Sequence, residues 1–167
     1  MRKLIVFLCL TMLAFATQVP RPLADVTIDP PPGGKPIRIR DYRGKTVLVA
    51  ILSTECSTCA ASVAILNNIQ KDYGPRGVQV LAAAVNDGAI SLVGSFMQRN
   101  RPSFPMGVLS RDATRRLADF TTEERPYVPM FVFVDKQGTV RLQAFGDSEF
   151  FKNEDRETRK GLDLMLK

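Results

Sequence analysis

Two cysteines separated by two residues are the side chains whose types and spacing most clearly allow chemistry in this sequence. Cys56 and Cys59 follow residues 47–52, an apolar run rich in β-branched residues that predicts a buried strand. Apolar residues then recur at helical spacing, at Ala60, Val63, Ala64, Leu66 and Ile69. Both thiols are therefore expected at the N-terminus of a helix, where unpaired backbone N–H groups and the helix dipole favour a thiolate. One helical turn would hold the two sulfurs close enough to form a reducible disulfide.

A metal centre, a haem site and a structural disulfide are the alternatives to redox chemistry at this pair. A structural zinc site needs four ligands, whereas the chain has no histidine and its only other cysteine is Cys9. Covalent haem attachment needs a histidine directly after the second cysteine, where this chain has Ala60. A structural disulfide across two residues would close a very short loop and add little stability. The spacing and the missing ligands favour a redox-active cysteine pair over a structural disulfide or a metal site. No metal ligands are therefore predicted.

Three motifs, in the same order along the chain, resemble those of one family of oxidoreductases. Residues 44–49 (Gly-Lys-Thr-Val-Leu-Val), the Cys-x-x-Cys pair and Val128-Pro129 before an apolar strand resemble the TlpA/ResA-like thioredoxin-fold thiol:disulfide oxidoreductases. The resemblance extends from about residue 26 to the C-terminus. This family borders on the broader redoxin (AhpC/TSA) group, which includes the peroxiredoxins. The resemblance implies an α/β fold: a thioredoxin-like three-layer α/β/α sandwich with a mixed central sheet, an N-terminal β-extension and a helical insertion.

The resemblance also implies a role for each residue that matches the family's motifs. Cys56 corresponds to the solvent-facing cysteine that attacks a client disulfide, and Cys59 to the cysteine that resolves the mixed disulfide. Pro129 corresponds to a cis-proline facing the two sulfurs. Val128 would line the groove in which an extended client segment pairs with the backbone. The redox-active disulfide between the two cysteines would be the working redox group, with no separate cofactor.

Three residues beside the cysteines complete the predicted client-binding set, namely Glu55, Ser57 and Thr58. The two hydroxyls could hydrogen-bond to sulfur or simply cap the helix, and the carboxylate could oppose a thiolate or point into water. The family usually has tryptophan at the position of Glu55 and often proline at that of Thr58. A further difference lies six residues before the first cysteine, at Ala50. Thioredoxins have a buried aspartate at that position, and many TlpA-like proteins have an asparagine.

The first residues have the pattern of an export signal. A basic pair at residues 2–3 precedes an apolar run that ends in a small-x-small cleavage site at residues 14–16. The sequence predicts a cleaved signal peptide over residues 1–16 and one thioredoxin-like domain over residues 17–167. Cys9 lies inside the apolar run, so we expect it to be removed with the leader.

The predicted leader would place the protein in the periplasm or another extracytoplasmic space, where a cysteine pair can be oxidised. The partners expected there are client proteins with thiols or disulfides and an electron donor, which the resemblance places in the membrane. The apolar run is shorter than the roughly 20 residues of a membrane span, which favours a cleaved leader. No stable membrane insertion is expected once the leader has been removed. A leader retained as an anchor is the alternative.

Composition indicates a globular chain and gives no support for a nucleic-acid partner. Apolar residues make up 45% of the sequence, and the roughly 150 residues left after cleavage are enough for a single core. The formal net charge is +6, and the arginines are scattered along the chain. A nucleic-acid groove would need basic residues clustered with exposed aromatic side chains.

The remaining apolar runs predict strands and helices in alternation, which is typical of parallel crossover units. The predicted strands cover residues 78–85, 104–108, 130–135 and 140–145, with a short hairpin formed by 26–28 and 36–39. The predicted helices cover residues 89–99, 110–120 and a final segment that starts at Glu154. The short link between the last two strands makes them antiparallel. Residues 86–88 (Asn-Asp-Gly) are expected to cap the helix over 89–99, and the acidic start of the final helix should complement the dipole of that final helix.

The function predicted from these features is disulfide exchange with client proteins. The resemblance implies that the protein acts as the reductant in this exchange. A thiol peroxidase is the first alternative, because Ser53 occupies the position of a peroxide-binding hydroxyl three residues before Cys56. The proline that peroxiredoxins have four residues earlier is replaced here by Val49. A non-catalytic binding module is the second alternative. Copper carriers of this fold use a wider cysteine spacing and a histidine, which this chain lacks.

Overall fold

The chain folds around a mixed sheet flanked by helices, in a computed structural model that describes residues 19–121, 123–124 and 127–167. The predicted signal peptide, its cleavage site and Cys9 lie outside the described residues. The strands are β1 (Arg21–Pro22), β2 (Thr27–Ile28), β3 (Ile37–Arg38), β4 (Thr46–Leu52), β5 (Val78–Ala84), β6 (Met106–Val108), β7 (Met130–Val134) and β8 (Thr139–Ala144). The helices are α1 (Ser57–Tyr73), α2 (Ala89–Asn100), α3 (Arg111–Ala118) and α4 (Glu154–Met165), and a 3-10 helix (Glu149–Asn153) leads into α4.

The six strands of the main sheet are arranged in the order β1-β8-β7-β4-β5-β6. Strands β4, β5 and β6 are parallel, whereas β7 is antiparallel to both β4 and β8. The mixed sheet and the antiparallel β7–β8 pair are therefore as predicted. Strands β2 and β3 form a separate antiparallel hairpin, which confirms the predicted N-terminal β-extension.

Alternate residues of β4 pack into two apolar clusters on opposite faces of the sheet. Leu48 and Leu52 pack against buried residues of α1, α2 and α4. Val47 and Ile51 point the other way, towards α3 and the buried Ile28 of the hairpin. Every residue of β4 is buried, as expected for a strand that is covered on both faces. The helix–sheet–helix arrangement confirms the predicted three-layer sandwich and leaves the C-terminal end of β4 to carry the cysteine pair.

The buried face of α1 differs from its predicted face at one position. Val63, Leu66 and Ile69 are fully buried as predicted, but Ala64 is exposed and Ser62 is fully buried instead. The reason is that α1 contacts α4 as well as the sheet, so its covered surface extends sideways past the apolar stripe. Strand β1, which pairs with the edge of β8, is not predicted from the sequence, whereas the other predicted helices and strands agree with the structure to within two residues. No helix of the described residues has both the length and the apolar character that a membrane crossing requires.

Candidate active site

Cys56 lies at the junction between β4 and α1, at the N-cap position of the helix. Its backbone is extended, with φ −101° and ψ 118°, and its sulfur accepts the backbone N–H of Cys59 at 3.1 Å. The Cys56 sulfur therefore occupies the place of a capping oxygen and faces the unpaired N–H groups of the first helical turn. The predicted position of a thiol at the positive end of the helix dipole is therefore confirmed for Cys56.

The environment of Cys56 favours its ionised form. The thiol is half-buried, and the Thr58 hydroxyl lies 3.0 Å from its sulfur. Burial raises the pKa of Cys56, but hydrogen bonds from the Cys59 thiol, the Thr58 hydroxyl and the backbone N–H groups of both residues outweigh it, so the pKa lies below that of an ordinary thiol. Partial exposure and a lowered pKa are the properties that suit Cys56 to be an attacking sulfur.

Cys59 has the opposite environment, although only two residues separate it from Cys56. Its side chain is fully buried, and its sulfur accepts the backbone N–H of Ser53 at 3.4 Å. Burial above all, together with the hydrogen bond to Cys56, raises the pKa of Cys59 far above that of an ordinary thiol. Cys59 is therefore held as a neutral thiol in contact with its ionisable neighbour, and it is shielded from reagents in solution.

Replacing Thr58 by valine should slow alkylation of Cys56, because valine keeps the shape of the side chain but removes the hydroxyl beside the sulfur. The loss of one hydrogen bond to the thiolate should lower the iodoacetamide reaction rate at neutral pH by about 2- to 10-fold. Replacing the exposed Ser57 by alanine is the matched control and should change the rate little. Equal rates for the Thr58 variant and the wild type would show that the hydroxyl does not stabilise the thiolate.

A groove of about 520 Å³ lies beside the cysteine pair. Thr58 lines it from α1, and Val128 and Pro129 line it from the segment before β7. Its remaining walls come from α1, the loop after β8, the 3-10 helix before α4 and the first residue of α4, Glu154. The Val128–Pro129 peptide bond is cis, as expected. Because the Thr58 hydroxyl contacts the Cys56 sulfur, the groove and the half-buried thiol are adjacent.

Glu55 and Ser57, which the sequence predicts to be client-binding residues, do not line this groove. Both side chains are exposed, and the Glu55 carboxylate is 3.4 Å from the amide nitrogen of Asn86. The Asn86 side chain also accepts hydrogen bonds from the backbone N–H of Thr54 at 2.9 Å and from its hydroxyl at 3.2 Å. The cap predicted for α2 at residues 86–88 is confirmed at Gly88, which is the N-cap with φ 71°, and the side chain of Asn86 holds the turn before Cys56.

Gly146 is a further residue of the site that sequence reasoning missed. Its N–H donates to the carbonyl of Tyr127 at 2.9 Å, and it lines the groove next to Val128. A Cβ atom at position 146 would lie 2.8 Å from the carbonyl oxygen of Val128, which is closer than a methyl group can approach. Only glycine therefore lets the loop after β8 pack directly on the segment before Pro129. The only signal in the sequence is a glycine directly after a predicted strand.

A comparison with known families supports the assignment that this geometry suggests. The family model described as Redoxin matches residues 18–155, a stretch that includes both cysteines and Val128-Pro129. The chain therefore belongs to the redoxin family. The resemblance to TlpA/ResA-like proteins noted above is confirmed by the named relatives that follow.

Two relatives and one solved structure illustrate what the chain is similar to. It is 28% identical over 104 residues to the thiol-disulfide oxidoreductase ResA of Geobacillus kaustophilus, covering 62% of this chain and 56% of that relative. It is 25% identical over 123 residues to Protein DipZ of Mycobacterium bovis, covering 71% of this chain and 17% of that relative. The chain thus spans about half the length of the first relative and far less of the second.

The solved structure is a crystal structure of a thioredoxin-family thiol:disulfide interchange protein from Chlorobium tepidum. It superposes with a TM-score of 0.70 at 20% sequence identity, and the match covers 91% of this chain and 100% of that one. At this level of identity the match shows the fold, so the predicted thioredoxin-like architecture is confirmed.

Proposed function

We propose that this protein is a thiol:disulfide oxidoreductase that reduces disulfides in client proteins through Cys56 and Cys59. The observation that carries the proposal is the unequal environment of the two thiols. Cys56 is half-buried with a lowered pKa, whereas Cys59 is fully buried with a raised pKa. One sulfur is thus suited to attack a disulfide from solution, and the other to react only with a partner already attached to the first.

The proposed reaction has two exchange steps. The Cys56 thiolate attacks one sulfur of the client disulfide, a bond forms between those two sulfurs, and the other client sulfur leaves as a thiolate. Cys59 then loses its proton and attacks the Cys56 sulfur, which releases the second client sulfur with its electron pair. The client gains two electrons, and the protein is left with a disulfide between Cys56 and Cys59. A thiol-containing electron donor must reduce that disulfide before the next cycle.

The groove beside Cys56 is the proposed binding site for the client segment. Val128, Pro129 and Thr58 all line the groove, and Thr58 contacts the Cys56 sulfur, so a segment lying in the groove would present its disulfide to Cys56. Tyr127, next to Val128, is 68% exposed and offers an apolar contact for the client. An extended client segment could pair with the backbone at Val128, as in other cases of strand addition. Contacts of Glu55 and Ser57 with a client remain predictions.

The direction of electron flow and the location are also part of the proposal. The basic and apolar N-terminal residues support export to an extracytoplasmic space, where the pair would need a donor in or at the membrane. The named relatives are a thiol-disulfide oxidoreductase and DipZ, and the first of these names is consistent with disulfide exchange by this chain. The redox-active disulfide is the proposed redox group of the protein.

Insulin disulfide reduction and peroxide consumption, measured side by side with dithiothreitol as donor, test the proposed function. We expect the wild-type protein to accelerate insulin reduction and to leave the rate of peroxide loss near the uncatalysed rate. The reason is that Val49, a fully buried residue of β4, occupies the position where a peroxide site has its proline. Replacing Cys59 by serine should abolish multiple turnovers with insulin. Faster peroxide loss that survives this replacement would favour a thiol peroxidase instead.

A further inference from the structure

A half-buried carboxyl group to which the exchange steps give no role lies at the edge of the groove. Glu154 is the first residue of α4, and its Oε2 is 2.8 Å from the hydroxyl oxygen of Ser62. Ser62 is fully buried and lies one helical turn after Cys59 on α1. The other oxygen of Glu154, Oε1, is shielded from solvent and has no hydrogen-bond partner among the described residues. A buried carboxyl oxygen without a partner is costly, so a functional reason for it is expected.

The contacts of Ser62 allow Glu154 to exist in either protonation state. The Ser62 oxygen is 3.1 Å from the carbonyl oxygen of Thr58 as well as 2.8 Å from Glu154, but a hydroxyl has only one proton to donate. When Ser62 donates to Glu154, the carboxylate is charged. When Ser62 donates to Thr58, a protonated Glu154 can donate to Ser62 in turn. Glu154 therefore keeps its hydrogen bond to Ser62 in both the charged and the protonated state, which suits a group that takes up and releases a proton.

The charges near Glu154 favour uptake of a proton at this position. Burial raises the pKa of Glu154, the hydrogen bond from Ser62 partly opposes this, and the neighbouring charge of Asp155 raises the pKa further. Asp147 and Lys152 line the same groove, and the Lys152 ammonium group is already paired with Glu149 at 2.7 Å. On α1, the pKa of Cys59 is raised above all by burial, next by the hydrogen bond to Cys56, and to a smaller extent by the negative charge of Glu154, so Cys59 and Glu154 resist being negatively charged together.

We propose that Glu154 takes up the proton that Cys59 must lose when it resolves the mixed disulfide, an inference that rests on the proposed function. As the Cys59 sulfur attacks the Cys56 sulfur, its proton passes to the Glu154 carboxylate and the client sulfur leaves as a thiolate. One disulfide bond forms and one breaks, so electrons balance. The negative charge moves from Glu154 to the departing client, and the groove gives the protonated carboxyl a route to return its proton to solvent.

A rapid-mixing experiment with the disulfide reagent 5,5′-dithiobis(2-nitrobenzoate) separates the two steps. With the reduced protein in excess, attack by Cys56 releases the first coloured thiolate, and attack by Cys59 on the mixed disulfide releases the second. Glu154→Gln should slow the second phase by about 10- to 100-fold and remove the inflection in its pH dependence. The first phase should change far less than the second, since the hydrogen bonds that lower the pKa of Cys56 come from Cys59 and Thr58.

Two further variants make the test specific. Glu157→Gln removes the same charge from the same helix, at a side chain paired with Arg156 at 2.9 Å, and should leave both phases as in the wild type. Ser62→Ala removes the hydrogen bond that stabilises the carboxylate, so it should move the inflection of the second phase to higher pH. Thermal unfolding of each variant checks that it is folded.

The possible outcomes distinguish the role of Glu154 from the proposed function itself. If the second phase of Glu154→Gln matches the wild type at every pH, the role of Glu154 is overturned while disulfide exchange by the two cysteines stands. If Glu154→Gln does not fold, an unmoved inflection in Ser62→Ala overturns the role of Glu154 instead. If the wild-type protein releases only one thiolate for each cysteine pair, the two-step exchange fails, and with it the role of Glu154.

Discussion

Replacing Cys56 by serine is expected to lower the rate of insulin disulfide reduction by at least about a thousandfold, because a hydroxyl at neutral pH is a far weaker nucleophile than a thiolate. No second group can take over, since the other thiol of the pair, Cys59, is fully buried and held neutral. The measurement is the initial rate of insulin reduction with dithiothreitol as donor. The fold should be retained, because Cys56 is only half-buried and serine is of similar size.

The Cys59→Ser variant is the control that separates the roles of the two sulfurs. It should still react once with a disulfide reagent at close to the wild-type rate, whereas Cys56→Ser should not react measurably. If Cys56→Ser retained more than a few per cent of the wild-type rate while Cys59→Ser had none, the assignment of attacking and resolving sulfurs would be reversed. Such a result would also contradict the hydrogen bonds that favour a thiolate at Cys56.

Replacing Gly146 by alanine is expected to damage client reduction without touching either sulfur. The added Cβ would lie 2.8 Å from the Val128 carbonyl oxygen, and neither atom can rotate away because one is backbone and the other is fixed directly to the backbone, so the wall formed by Val128 and Pro129 must move. Displacement of a binding wall by about 1 Å can cost on the order of 100-fold in rate. We expect a 10- to 100-fold loss in kcat/KM for insulin (about 1.4 to 2.7 kcal/mol), with a decrease of about 1–3 kcal/mol in the free energy of unfolding.

Gly94→Ala provides the matched control for this change. Gly94 lies inside α2, and a Cβ there would meet no atom within 4 Å. Alanine is the better helix former, so this variant should keep full activity and gain up to about 1 kcal/mol in the free energy of unfolding. Iodoacetamide alkylation of Cys56 should be unchanged in both variants. If Gly146→Ala kept the wild-type kcat/KM, the contact of Gly146 with Val128 would not be important for client binding.

The parts of the fold that the sequence predicts well are those with a strong local pattern. The apolar run of β4, the turn after Leu52 and the helical spacing after Cys59 depend on residues close in sequence, so their order and their limits can be inferred directly. Cys56 is placed correctly at the head of α1 for the same reason. The resemblance to a known family adds Val128 and Pro129, which are far from the cysteines in sequence but line the groove beside them.

The parts that could not be predicted depend on contacts between distant segments. Asn86 is of a residue type typical of helix caps, but its side chain accepts a hydrogen bond from Thr54, 32 residues earlier. Glu154 reads as one of several surface acids at a helix start, and only the packing of α4 against α1 brings it to Ser62, 92 residues earlier. The family's usual site for a buried carboxyl holds Ala50, so sequence comparison gives no pointer to Glu154.

Trapping of a mixed disulfide with the Cys59→Ser variant is the most direct test of whether Cys56 exchanges disulfides with a client in the groove. The variant, incubated with a disulfide-containing client and then denatured in acid, should yield a covalent adduct that mass spectrometry maps to Cys56. A reducing agent should release the client intact. Absence of an adduct at Cys56, under conditions where the wild-type protein reduces the same client, would contradict the proposed mechanism.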